Sequence, residues 1–184
     1  MTLVSPVITG IAAREVLDCR GLPTLQVDLE LDEVISATAD VPSGRSTGVN
    51  EAFELRDGGT RFGGFGMLKA AENVTGEIAD ALVGQPLVDQ RTLDRALIDL
   101  DGTENKSRLG ANAILGVSLA AARAQADAHG LPLYRSVSSN AHILPVPLVN
   151  LINGGKHASN DLDFQEFIVI PVGADSILEA LQIS

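Results

Sequence analysis

Leu25, Val27, Leu29 and Leu31 alternate with Gln26, Asp28 and Glu30, and Ile35, Ala37, Ala39 and Val41 repeat the alternation a few residues later. A period of two turns one side of each segment toward a core and the other toward water, which commits this stretch to half-buried strands. The short link between the two runs makes them antiparallel neighbours. An earlier run from Val7 to Leu17 is separated from them by Asp18-Cys19-Arg20-Gly21-Leu22-Pro23, whose Asp, Gly and Pro suit a connecting turn. A three-stranded meander is expected.

After Gly66 the spacing becomes helical. Leu68, Ala71, Val74 or Thr75, Ile78 and Leu82 fall on one stripe, and Gly84 with Pro86 marks the stop. Gly63 to Lys69 lacks the spacing of a phosphate-binding loop and reads as the entry to this helix. Leu93, Leu97 and Leu100 mark a second helix. A third, from Ala111 to Ala128, is rich enough in alanine for neighbours to approach closely, and Gly130 and Pro132 end it. Strands followed by helices make an α+β layer.

A second domain is expected beyond Ser136 to Ala141, where Ser, Asn and Ala replace the periodic pattern. The boundary is placed so that residues 1–138 form one domain and 139–184 begin another. Leu144 to Asn153 and Phe164 to Pro171 are apolar runs that read as buried strands, joined by a Gly-, Ser- and Asn-rich loop from Gly154 to Asp161. From Ala174 the spacing of Ile177, Leu178 and Leu181 starts a helix.

Charge narrows the function classes. Thirteen Lys and Arg against 24 Asp and Glu give a net charge of −11, a field that repels nucleic acid and anionic membrane. The most apolar stretch, Ile143 to Ile152, contains two prolines and falls short of the roughly 20 residues a spanning helix needs. No nucleic-acid partner and no membrane span are therefore expected. The single cysteine, Cys19, and an opening without a signal-peptide pattern point to a cytoplasmic protein. His129 and His142 have no partner at ligand spacing and read as structural.

Four longer segments carry a resemblance. Ala13-Arg14-Glu15-Val16-Leu17-Asp18-Cys19-Arg20-Gly21-Leu22-Pro23-Thr24 is similar to the opening of the enolase family. Val41-Pro42-Ser43-Gly44-Arg45-Ser46-Thr47-Gly48, with Glu51-Ala52 and Glu54-Leu55-Arg56-Asp57 after it, resembles that family's lid loop and its continuation. Leu100 to Leu119 resembles its L-D-G-T-E-N-K-S segment and the helix that follows. Val149-Asn150-Leu151-Ile152-Asn153-Gly154-Gly155-Lys156-His157-Ala158, with Asp163-Phe164-Gln165-Glu166-Phe167, resembles its N-G-G-x-H-A and D-F-Q-E-F pair in the bacterial form. Four such matches in the right order are a specific signal.

The resemblance implies an α+β capping domain followed by the first two strands and the start of a helix of an α/β barrel. A complete barrel takes roughly 250 residues, so most of it is expected to be missing from this stretch. The implied activity is the Mg²⁺-dependent interconversion of 2-phosphoglycerate and phosphoenolpyruvate, a carbon–oxygen lyase step of glycolysis, in a homodimer. Taking the proton beside a carboxylate creates a dianion, and enolase-type sites hold that charge with Mg²⁺. By resemblance the lid loop is Ser43, Gly44, Arg45, Ser46, Thr47 and Gly48, and the Ser46 hydroxyl is a metal ligand. His157 and Glu166 are implied as catalytic, and His157, Gln165 and Glu166 as substrate contacts. Successive side chains on a strand point to opposite faces, so Gln165 and Glu166 need not face one cavity.

Departures bear on this transfer. Arg45 replaces the family's alanine and sets a permanent cation in the lid, where an outward orientation is expected. Cys19, Leu22, Asp40, Lys156, Ser159 and Asp161 also differ from common forms. The base lysine, the proton-donating glutamate, the acidic metal ligands and the phosphate-binding arginine belong to the missing barrel, so these residues alone are expected to be inactive. The alternative is a non-catalytic, truncated or split interaction module. Sequence beyond codon 184 discriminates between the two.

Overall fold

The computed structural model describes residues 5–44 and 48–184. They divide into two compact units, one holding the described residues up to Ser43 and from Gly48 to Ser139, the other Gly44 and those from Asn140 to Ser184.

In the first unit the alternating runs form β1 (Ile8–Leu17), β2 (Pro23–Leu31) and β3 (Ile35–Asp40). They make the expected antiparallel meander in the order β1-β2-β3. Asp18 shapes the first turn: its Oδ1 accepts from the backbone N–H of Arg20 and Leu22 at 2.8 and 2.9 Å, and Gly21 takes φ +73°. Those bonds, led by the one from Leu22, lower the Asp18 pKa below the ordinary carboxylate value.

The inward residues of β2, Leu25, Val27, Leu29 and Leu31, are fully buried. Each such burial contributes roughly 1.5–3 kcal/mol. The alanine-rich helix spanning Ala111–Ala128 covers them, and its Gly116 lets the backbone approach. A Cβ at Gly116 would lie 2.6 Å from Val27 Cγ2 and 3.0 Å from Val41 Cγ2.

The first helical stretch comprises α1 (Leu68–Asn73), a wider π turn (Val74–Ile78) and α2 (Ala79–Leu82). The π turn is absent from the sequence expectation because a stripe of apolar residues does not distinguish i−4 from i−5 bonding. Next come α3 (Gln90–Asp101) and α4 (Ala111–Ala128), the latter with the expected bounds. Asp89 caps α3 by accepting from Thr92 N at 2.8 Å, and Gly102 ends it at φ +70°. A short α5 (Leu133–Val137) was not anticipated, since five residues show too little periodicity.

Carboxylates distant in sequence complete this unit. Asp57 accepts from Leu68 N and Lys69 N at 3.0 and 2.9 Å and Glu15 from Met67 N at 2.7 Å, so two acids serve the start of α1. The Arg61 guanidinium and that N–H hold Glu15 below the ordinary glutamate value, against the opposing effect of burial. Burial pushes the carboxyl of Asp101 up, but hydrogen bonds from Thr103 and from Leu109 N more than offset it, and the net shift is downward.

Both groups bind protons more weakly folded than unfolded. Their stabilisation is complete above their ordinary pKa values and is lost as pH falls through the lowered ones. The denaturant midpoint of the first unit should therefore drop between neutral pH and pH about 3. Glu15→Gln should lose stability at neutral pH and show a shallower acid dependence. An unchanged slope in denaturation curves recorded across that range would count against this assignment.

In the second unit β4 (Val149–Asn153) and β5 (Glu166–Val169) pair antiparallel, and α6 (Ile177–Ile183) follows. Both strands are shorter than the apolar runs, and before β4 Pro145 and Pro147 cannot donate to a ladder. The expectation that they are buried is corrected: every residue of β5 is exposed, as are four of the five in β4. An apolar run is buried only where another layer covers it, and no described element of this unit covers these faces.

Candidate functional site

His157 and Glu166 meet across the loop that joins β4 to β5. His157 Nδ1 lies 2.9 Å from Glu166 Oε1, with the side chains 21% and 35% exposed. Glu166 opens β5 opposite Asn153, the last residue of β4, so the ladder itself brings the carboxylate beside the loop.

Glycine makes the loop possible. Gly154 is buried, and a Cβ there would stand 2.4 Å from Phe164 O and 2.6 Å from Leu162 Cβ. Gly155 takes φ +53°, a region other residues rarely occupy. Gly154 N donates to Gln165 O at 3.0 Å, Gly155 N to Leu162 O at 2.8 Å, and His157 N to Gly154 O at 3.0 Å. Asn160 Nδ2 donates to Asn153 O at 2.9 Å and closes the far side. The imidazole thus stands on a backbone held at several points.

The ring turns Nδ1 toward the carboxylate and leaves Nε2 for another group. The partial exposure of both residues keeps that nitrogen within reach of a solute. Gln165 precedes β5; its backbone carbonyl serves the loop, while its side chain has no hydrogen-bond partner among the described residues. The structure brings His157 and Glu166 together and leaves the Gln165 amide out of their contact.

Of the six lid-loop residues, Arg45, Ser46 and Thr47 lie outside the described residues, and with them the expected metal ligand. Ser43 is described in the first unit, where Arg56 Nη2 donates to its Oγ at 2.8 Å and its Oγ–H donates to Glu54 Oε1 at 3.0 Å. At the far end of the loop, Gly48 N donates to the Glu51 carboxylate. Reading the sequence identified neither Arg56 nor Glu54 as a partner of Ser43. Among the described residues no three His, Cys, Asp or Glu side chains converge to hold a metal, so they do not by themselves form a Mg²⁺ site.

Residues 8–137 match the family model described as "Enolase, N-terminal domain", and residues 141–184 match "Enolase, C-terminal TIM barrel domain". A curated relative named Enolase, from Rubrobacter xylanophilus, is 59% identical over 177 residues, covering 95% of this chain and 41% of the relative. The chain thus spans less than half the length of that relative.

Proposed function

The chain belongs to the enolase family, and from that premise we propose that it serves the reversible dehydration of 2-phosphoglycerate to phosphoenolpyruvate. The observation that carries this reading is the His157–Glu166 pair, at 2.9 Å in a glycine-shaped loop that falls in the part matched by the barrel-domain model. Residues 1–138 act as the capping domain and residues 139–184 as the opening of the barrel.

The roles follow from this placement. Glu166 holds the imidazole by Nδ1, and His157 presents Nε2 to the substrate. The Glu166 carboxylate, partly exposed beside the ring, assists departure of the substrate hydroxyl by contributing to proton transfer at the leaving oxygen. Gln165 contacts substrate through its unpaired side chain. Mg²⁺ is the cofactor of this activity and would supply the positive charge that the dianion needs. Ser46 is proposed as one of its ligands on the lid-loop motif alone. Glycolysis, a cytoplasmic setting and a homodimer complete the reading.

Joining these 184 residues to the remaining barrel of the Rubrobacter xylanophilus enolase tests it. The fusion is expected to form phosphoenolpyruvate from 2-phosphoglycerate in a Mg²⁺-dependent manner. A folded fusion with no such activity would overturn the proposal.

A further inference from the structure

Arg56 draws together parts of the first unit that are far apart in sequence. Its Nη1 donates to Pro23 O at 2.9 Å and to Phe65 O at 2.8 Å, its Nη2 donates to Ser43 Oγ at 2.8 Å, and Glu54 Oε1 lies 2.9 Å from that same nitrogen. The guanidinium also stands 5.5 Å from the centroid of the Phe65 ring, and the side chain is only 19% exposed.

The clasp is rooted in the core. Leu55, between Glu54 and Arg56, donates its N–H to Asn112 Oδ1 and accepts from Asn112 Nδ2 through its carbonyl, both at 3.0 Å. Asn112 is buried near the start of α4, so the segment bearing Arg56 is pinned to that helix. On the other side Arg20 Nη2 donates to Ser43 O at 2.8 Å, and Asp18 holds Arg20 by its Nε at 3.1 Å. Ser43 is therefore fixed through both its hydroxyl and its carbonyl.

Binding Pro23 and Phe65 would suffice to stabilise the fold. The bond to the Ser43 hydroxyl adds something else: it sets the position of the residue from which the Ser-Gly-Arg-Ser-Thr-Gly segment departs. We propose that Arg56 is a positioning residue which, through Ser43 and with Glu54, fixes the starting point of that segment. Its relevance to catalysis rests on the enolase reading; the anchoring itself does not.

Trypsin tests the anchor on the 184-residue chain without substrate or metal. The bond after Arg45 reports on the segment, and the bond after Arg95 in α3 reports on global opening. Ser43→Ala removes the hydroxyl while leaving Arg56 paired with Glu54, Pro23 and Phe65. Arg56→Lys keeps the charge but loses the fork that reaches several acceptors at once. In brief digests followed by mass spectrometry, both variants are expected to raise scission after Arg45 about tenfold, the fold-change matching loss of one charge-assisted hydrogen bond. Scission after Arg95 should stay the same in Ser43→Ala, which leaves the bonds to Pro23 and Phe65 in place, and Ser43→Thr, which keeps a hydroxyl, should restore the original rate after Arg45. Unchanged scission after Arg45 in both variants, or a parallel rise after Arg95 in Ser43→Ala, would overturn the proposal. Failure of the fusion to act as an enolase would leave this readout untouched, so the two ideas fall separately.

Discussion

A polypeptide of these 184 residues, purified free of host enolase, is expected to form no measurable phosphoenolpyruvate from 2-phosphoglycerate at saturating Mg²⁺. The reason lies in what the described residues offer to a developing dianion. His157 and Glu166 are 21% and 35% exposed, and the sheet beside them is open to water. In such a setting fixed charges are screened, whereas strong electrostatic catalysis needs a preorganised site that excludes water. No convergent set of acidic or imidazole ligands is present among the described residues to hold a metal. A positioned acid or base contributes roughly 10²–10⁴ in rate, whereas enzymes reach about 10⁶–10¹⁷ over the uncatalysed reaction. The pair therefore falls short by orders of magnitude. A spectrophotometric assay that found robust Mg²⁺-dependent product from this polypeptide would refute the argument.

The amino-acid sequence reveals the first unit far better than the second, for a physical reason. Alternation in β2 and β3 and the alanine-rich stripe of α4 are local signals whose covering partners lie in the same unit, so periodicity and burial agree. The runs around Ile152 and Ile168 are equally apolar, yet both residues are exposed. Hydrophobic content reports what a strand would bury given a partner layer, and it is silent on whether that layer is there.

The candidate site divides in the same way. Resemblance singled out His157 and Glu166, but their contact depends on Gly154 and Gly155 turning the loop back over the start of β5. No periodicity encodes that turn. The link between Ser43 and Arg56 spans thirteen residues of irregular chain and depends on Asn112, another 56 residues onward. Side chains that bond to one another or to backbone across such separations leave no pattern in one sequence. The carboxylates of Glu15 and Asp57 at the start of α1 were missed for the same reason.

His157→Ala, introduced into the barrel-completed fusion, is expected to lower kcat by about 10²–10⁴, the range of a positioned proton-transfer or substrate-polarising group. The side chain is partly exposed and lies on a loop held by its own backbone bonds, so its removal should leave the fold intact. Glu166→Gln keeps the size of the side chain and removes the charge that orients the ring. If Glu166 acted only by holding His157, Glu166→Gln would add nothing to His157→Ala, because its sole route to the substrate would already be gone. The proposed direct help with the leaving hydroxyl requires more. The double variant should then be slower than His157→Ala alone, with combined losses still less than additive because the two groups are in contact. Steady-state kinetics of the four proteins, each checked for unchanged thermal unfolding, decide the matter. A double variant equal to His157→Ala would reduce Glu166 to a positioning residue, and kcat within about threefold of the parent in His157→Ala, far below the range for such a group, would remove the pair from the catalytic site.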